Sequence, residues 1–161
     1  SCAPAGDVCT TNIVPSGSGV DRIDISLDAL DAAGDVIDGN GAALTAGTAI
    51  DIGAVTSGDL TVTTGKDVFA ITDANCATIA LAEAAIENNG SHELVFASAT
   101  AANDDFIVAW YDGTDTHISS YIDATSTATT NLAGGTLTDL FVLVGTDVSD
   151  LTDANFGAMI A

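Results

Sequence analysis

Positive charge is nearly missing from this chain: Arg22 and Lys66 stand against 23 acidic residues, for a formal net charge of −21. Binding a polyanion requires Lys and Arg to displace its counterions, so nucleic acid is excluded as a partner class. An anionic membrane surface is disfavoured for the same reason. No stretch approaches about 18 consecutive apolar residues, so no membrane span is expected. No basic segment followed by an apolar run opens the chain, as expected where any leader has been removed or was never used. Glutamate is also scarce: Glu83, Glu87 and Glu93 are the only three, and every other acid is Asp. Cysteine is limited to Cys2, Cys9 and Cys76, and proline to Pro4 and Pro15.

The composition nonetheless describes a folding chain. It is 47% hydrophobic, with charges spaced between apolar runs, which argues against disorder. At 161 residues it is long enough to bury one core, and the expected organisation is an N-terminal arm over 1–20 followed by a single β-rich domain over 21–161. The arm is punctuated by Pro and Gly and uncharged except for Asp7, with Ile13 and Val14 as an apolar patch. Ordering such an arm requires contacts from its own domain or from a neighbouring molecule. Cys2 and Cys9 can close a small loop in an oxidising compartment, the alternative being free thiols; Cys76 reads as a buried, inert thiol.

Strand patterns dominate the rest. Phe106–Tyr111 and Ile118–Ile122 are rich in β-branched and aromatic residues, with Asp112-Gly113 between them, which predicts a hairpin. Both faces of its first strand are apolar, so that strand is expected at the centre of a sheet, covered on both sides. Further strands are predicted over 22–27, 49–55, 60–64, 68–71 and 137–144, with 93–97 leading the chain into the hairpin and a closing turn and strand over 151–161. One helix is predicted over about 76–88, capped from Thr72-Asp73-Ala74-Asn75 and ended by Asn89-Gly90, with Glu83 and Glu87 on its wet side. Thr72-Asp73-Ala74-Asn75 recurs as Thr152-Asp153-Ala154-Asn155, which suggests one local geometry used twice. The expected fold is mainly β: an antiparallel, sandwich-like domain with one helix.

The Asp bias has two readings. Asp is the short, hard oxygen ligand of Ca2+ loops, and it also starts turns; an acidic surface adapted to high salt is the alternative. Three places cluster oxygen ligands. Ser16-Gly17-Ser18-Gly19-Val20-Asp21-Arg22-Ile23-Asp24 matches a Gly-Gly-x-Gly-x-Asp-x-apolar-x nonapeptide except at Ser16. In that motif the glycine half turns and offers carbonyls, and the Asp completes a Ca2+ site, with Asp21 and Asp24 as candidate ligands. Asp35, Asp38 and Asn40 surround two glycines, without the spacing of an EF-hand. Asp104 and Asp105 mark one end of the hairpin, Asp112 and Asp115 the other; a strand separates them, so they form two candidate sites.

The run Asp21–Leu30 resembles the exit from nonapeptide repeats in RTX-type calcium-binding proteins secreted by bacterial type I systems. Gly65-Lys66-Asp67-Val68-Phe69, the hairpin at Trp110 and the ending Leu151–Phe156 are similar to the acidic β-rich tails of that group, which includes surface-layer proteins. Tandem nonapeptides are absent, so a calcium-filled β-roll is not implied; the resemblance implies an extracellular destination and use of calcium.

Catalytic signals are thin. His92 follows a Gly-Ser turn and His117 opens a strand, without a nucleophile elbow or a zinc-ligand spacing. Irregular Thr-x-Thr pairs are better explained by β-propensity than by an ice-binding face. The expectation is therefore a non-enzymatic, extracellular, calcium-stabilised subunit that self-assembles as a homo-oligomer through its terminal segments into a layer or filament. The alternative is a calcium-dependent adhesion module.

Overall fold

A computed structural model describes residues 22–27, 30, 35–58, 65–96, 102–124 and 130–160. In chain order the elements are β1 (Ile23–Ser26), β2 (Ile52–Val55), β3 (Val68–Asn75), α1 (Ile79–Ile86), β4 (Asp105–Tyr111), β5 (Thr116–Ile122), β6 (Thr136–Leu143) and β7 (Phe156–Ile160), with 3-10 turns at Val148–Asp150 and Asp153–Asn155 before β7. The arm over 1–20, Asp21, the Cys2–Cys9 pair and the strand expected over 60–64 lie outside the described residues.

The protein is mainly β with one helix, as expected. Its main sheet has the order β2-β3-β4-β5-β6, and β1 and β7 form a second, two-stranded sheet. The hairpin β4–β5 and the next strand, β6, are antiparallel. The other half of the sheet is parallel: β2 runs with β3, and β3 with β4. Parallel neighbours need a crossover, and α1 lies in the connection between β3 and β4. A strand covered on both faces reads as a continuous apolar run in either direction, so strand sense is not written in such a segment.

Two cores lie on opposite faces of this sheet, and alternate residues of β4 feed them. Phe106, Val108 and Trp110 join Phe69, Phe96 and Tyr121 and the α1 residues Ala82, Ala85 and Ile86. Ile107 and Ala109 join Val68, Ile118 and Leu143 under Ile25, Phe156 and Met159 of the small sheet. The first core is aromatic, with Phe96 stacked obliquely on Phe106 at a ring separation of 4.5 Å. The second is mainly aliphatic, with Phe156 as its one fully buried aromatic among the described residues.

Thr72–Asn75 belongs to β3, not to a helix cap. Asp73 is drawn into the sheet by tertiary partners, and the helix starts later, at Thr78, whose hydroxyl accepts the Leu81 amide at 3.3 Å. Its look-alike Thr152–Asn155 forms a 3-10 turn with a reciprocal Thr152–Asn155 cap. The two tetrapeptides therefore adopt different structures. The C-terminal run, expected to reach a neighbour's sheet, is paired inside the molecule: Ile23 lies beside Phe156 and Ser26 beside Ile160.

Candidate functional site

The densest polar arrangement lies where the hairpin meets β6. The turn at 112–115 is tied by the Asp112 carboxylate, whose Oδ1 accepts the amides of Thr114 (2.7 Å) and Asp115 (2.8 Å). Gly113 sits at φ +103°, a backbone state that side chains resist. The turn sets the register that places Trp110 opposite His117, and β6 places Val142 beyond His117. The His117 ring stacks on Trp110 at a centroid distance of 3.9 Å and an angle of 12°. Its Nδ1 is 2.9 Å from Asp139 Oδ2, and its Nε2 is 3.4 Å from Asp112 Oδ2. Trp110 Nε1 donates to Ser119 Oγ at 2.9 Å, and Ser119 donates to Asp139 Oδ1 at 2.7 Å. The amides of Asp115 and Thr114, together with His117, hold the Asp112 carboxyl below its ordinary range.

β6 is fastened at further points by carboxylates. Glu83 accepts the Leu137 amide at 2.8 Å, Glu87 accepts the Gly135 amide at 3.2 Å, and Asp115 accepts the Gly145 amide at 2.7 Å. Glu93 accepts from Asn131 just before the strand. Tyr121 donates to Glu87 at 2.8 Å; burial and that carboxylate push the phenol well above its ordinary range. All three glutamates of the chain thus hold the approach to β6 or its start, where an aspartate would be one methylene short. Glu83 and Glu87 were expected on the wet side of α1; the structure makes them anchors.

A second histidine forms a Ser-His-Asp line. Ser91 Oγ is 2.8 Å from His92 Nδ1, and His92 Nε2 is 2.7 Å from Asp73 Oδ1. The Ser57 amide, donating to Asp73 at 3.0 Å, and then His92 hold the Asp73 carboxyl below its ordinary range. Acyl transfer also needs amides aimed at a developing oxyanion. Here the Gly90 amide bonds the Glu87 carbonyl, and the His92 amide bonds the Ala85 carbonyl. The Gly58 amide bonds the carbonyl of Ser91 itself. The line clasps the β2–β3 loop to the end of α1.

The expected calcium ligands are distributed as follows. Asp21 lies outside the described residues. Asp24 accepts the Ala158 amide at 3.1 Å across the small sheet. Asp35 is exposed, and its carbonyl accepts the Asp105 amide. Asp38 folds its own loop: Oδ1 accepts the amides of Asn40 and Ala42, each at 2.8 Å, and Oδ2 accepts the Asn40 side chain at 3.1 Å. Asp104 and Asp105 are buried at the start of β4, about 20 Å along the strand from Asp112 and Asp115. Among the described residues, no three His, Cys, Asp or Glu side chains converge in a geometry that could hold a metal. The oxygens of Asp38 and Asp112 are directed at nearby amides, so these loops do not fit a preformed calcium cage.

Asp67 is a buried acid in unfavourable surroundings. Burial raises its carboxyl above the ordinary range, and the nearby Asp51 and Asp38 carboxylates add to that, against the Asp51 amide that it accepts at 2.9 Å. Cys76 is a free, buried thiol whose proton is held by desolvation. On the other face an open depression of about 570 Å³ lies between β2, β3 and the 3-10 turns. Among its rim groups, the Ser149 hydroxyl bonds Asp147, the Thr152 hydroxyl bonds Asn155, and the Asp153 carboxylate accepts the Ile52 amide. No helix among the described residues is long and apolar enough to cross a membrane.

Sequence reasoning missed Asp139, Ser119 and the Glu anchors. The Trp110–His117 pairing follows from counting back from the turn, whereas Asp139 requires the register of β6. Compared with known proteins, the chain matches no family model, no curated protein sequence and no solved structure.

Proposed function

We propose that this domain is a non-enzymatic structural subunit, working outside the cell, that assembles with copies of itself along the outer edge of β6 into a layer or filament. The observation that carries this reading is the character of that edge. β6 is eight residues long, and among the described residues it has a strand on one side only. Its one charged residue is Asp139, whose oxygens are engaged by His117 and Ser119. Val142 is half-buried and Val144 exposed beside it. Neither Lys nor Pro guards the strand; a bulge at Leu140 is its protective device.

Elsewhere a charge of −21 makes copies repel one another, so an edge with little unbalanced charge is where two copies approach at least cost. Calcium acts in this reading between surface carboxylates of facing copies, where it relieves the repulsion. The RTX-like run Asp21–Leu30 supports the extracellular assignment by resemblance. The test is electron microscopy and sedimentation of the purified protein in calcium and in chelator at moderate salt. Ordered assemblies that dissolve in chelator support the proposal. A monomer under both conditions overturns it, and a monomer that retains glycan in calcium points to the adhesion alternative.

A further inference from the structure

We propose, resting on the β6 reading above, that the outer face of α1 is a second self-association surface, by which pairs of copies joined at β6 meet further pairs, like face against like face. Each copy has one β6, open on one side among the described residues. Two copies that pair there occupy both open edges, and a contact between two identical patches closes on itself. Edge pairing alone therefore stops at a dimer. A layer or filament requires a second surface elsewhere on the molecule.

The exposed side of α1 has the character of such a surface. Leu81 is 55% exposed, the most of any large hydrophobic side chain among the described residues. Ala77, Ala80 and Ala84 are exposed beside it, so this side of the helix carries no charge. The two acids of this stretch are turned away from it: Glu83 accepts the Leu137 amide, and Glu87 accepts from Tyr121 and from the Gly135 amide. At about 3.6 residues per turn, Leu81 lies about 160° round the helix from Glu83, on the flank away from β6. Ala82, Ala85 and Ile86 face the core. The surface therefore looks out from the face of the sheet, whereas pairing at β6 extends the sheet sideways. The two contacts point in different directions and can act in one assembly.

Charge selects a second copy as the occupant. A partner drawn to an acidic chain is cationic, and this face offers it no carboxylate. Copies of this chain repel one another at −21, and here they meet without like charges face to face. Alanines allow two helix axes to approach to about 8 Å, so Leu81 of one copy can pack on the alanines of the other. A helix of eight residues offers much less than the roughly 1,000 Å² that a stable interface buries, so the contact is weak alone. It holds between units already paired at β6, each of which presents two such faces. A copy prevented from pairing at β6 is therefore a monomer.

The test compares the wild type with Leu81→Lys and Leu81→Glu in calcium, by sedimentation and electron microscopy. Leu81 is exposed, so both variants should keep the wild-type Tm. The wild type should form extended assemblies. Each variant alone should stop at twice the monomer mass, although Lys reduces the negative charge and Glu adds to it. An equal mixture of the two variants should restore extended assemblies, because opposite charges then meet across like faces. Extended assemblies from either variant alone overturn the proposal and leave pairing at β6 standing. So do a mixture that stays dimeric and a wild type that is itself dimeric. Variants that fall to monomers overturn it too, because the α1 face is then needed for the first contact. A monomeric wild type overturns both this proposal and the β6 reading.

Discussion

β4 and β6 belong to the same sheet and are held in it by different forces. In β4 every residue but Tyr111 is buried, and its side chains alternate between an aromatic core and an aliphatic one. Fully burying a side chain such as Ile107 or Val108 contributes about 1.5–3 kcal/mol, so the central strand is positioned by removal from water. β6 has four half-buried positions in succession, Asp139 to Val142. Besides its backbone ladder with β5, it is held by carboxylates: Glu83 accepts the Leu137 amide, Asp115 accepts the Gly145 amide, and Asp139 bonds the Ser119 hydroxyl and the His117 ring on β5. Bonds of this kind contribute about 1–2 kcal/mol each and depend on charge state. The central strand is held mainly by burial; the edge strand adds side-chain anchors to its backbone pairing with β5.

The largest effect should come from the centre. Ile107→Ala leaves a cavity between two layers and should cost about 2–5 kcal/mol, read as a lower denaturant midpoint for the whole domain. Glu83→Ala should cost less, about 1–2 kcal/mol, because it removes the acceptor of the Leu137 amide on a half-buried strand. Its signature should be local: faster exchange at the start of β6 with β4 protected. If Glu83→Ala loosens both strands equally, the contrast drawn here fails.

The smallest effect is expected away from both strands. Asp67 is raised by burial, so its ionised form destabilises the fold. Stability from this site is greatest below the unfolded carboxylate value and is lost as pH rises through the folded one. Asp67→Asn keeps an oxygen for the Asp51 amide and removes the buried charge. It should leave stability unchanged at low pH and raise it at pH 7 by up to about 1 kcal/mol, seen as a higher Tm. Asp73 and Asp112 are depressed and have the opposite sign: their contribution is present above the unfolded carboxylate value and is lost as pH falls through the folded one.

How much of this was legible depended on sequence distance. The hairpin was readable because its period of two and the Asp112-Gly113 turn are local, and the turn fixes Trp110 opposite His117. The β-rich class and the covered central strand followed from the same pattern. The helix start was misplaced because Asp73, a good cap in isolation, is claimed by Ser57 and His92. The Glu residues looked solvent-facing by helical period, yet their length reaches the backbone around β6. The turns at Asp38 and Asp112 read as ligand sets because a calcium loop and a self-bonded turn use the same residues, and the direction of the oxygens is not written in the sequence. The Asp139–His117 contact spans 22 residues and depends on the bulge at Leu140, which nothing local announces.

The claim that the edge of β6 is the assembly surface is tested most directly by placing opposite charges at one position on it. Val142 is half-buried on that strand, opposite His117, and is not itself one of the backbone anchors at Leu137 and Gly145. Val142→Lys and Val142→Glu both install a hydrated charge that an incoming strand must bury, while their effects on long-range repulsion have opposite signs. In sedimentation of the wild type and both variants in calcium, the account predicts assemblies for the wild type and folded monomers for both variants. If Val142→Lys assembles as well as the wild type or better, repulsion alone controls association and the edge is not the interface.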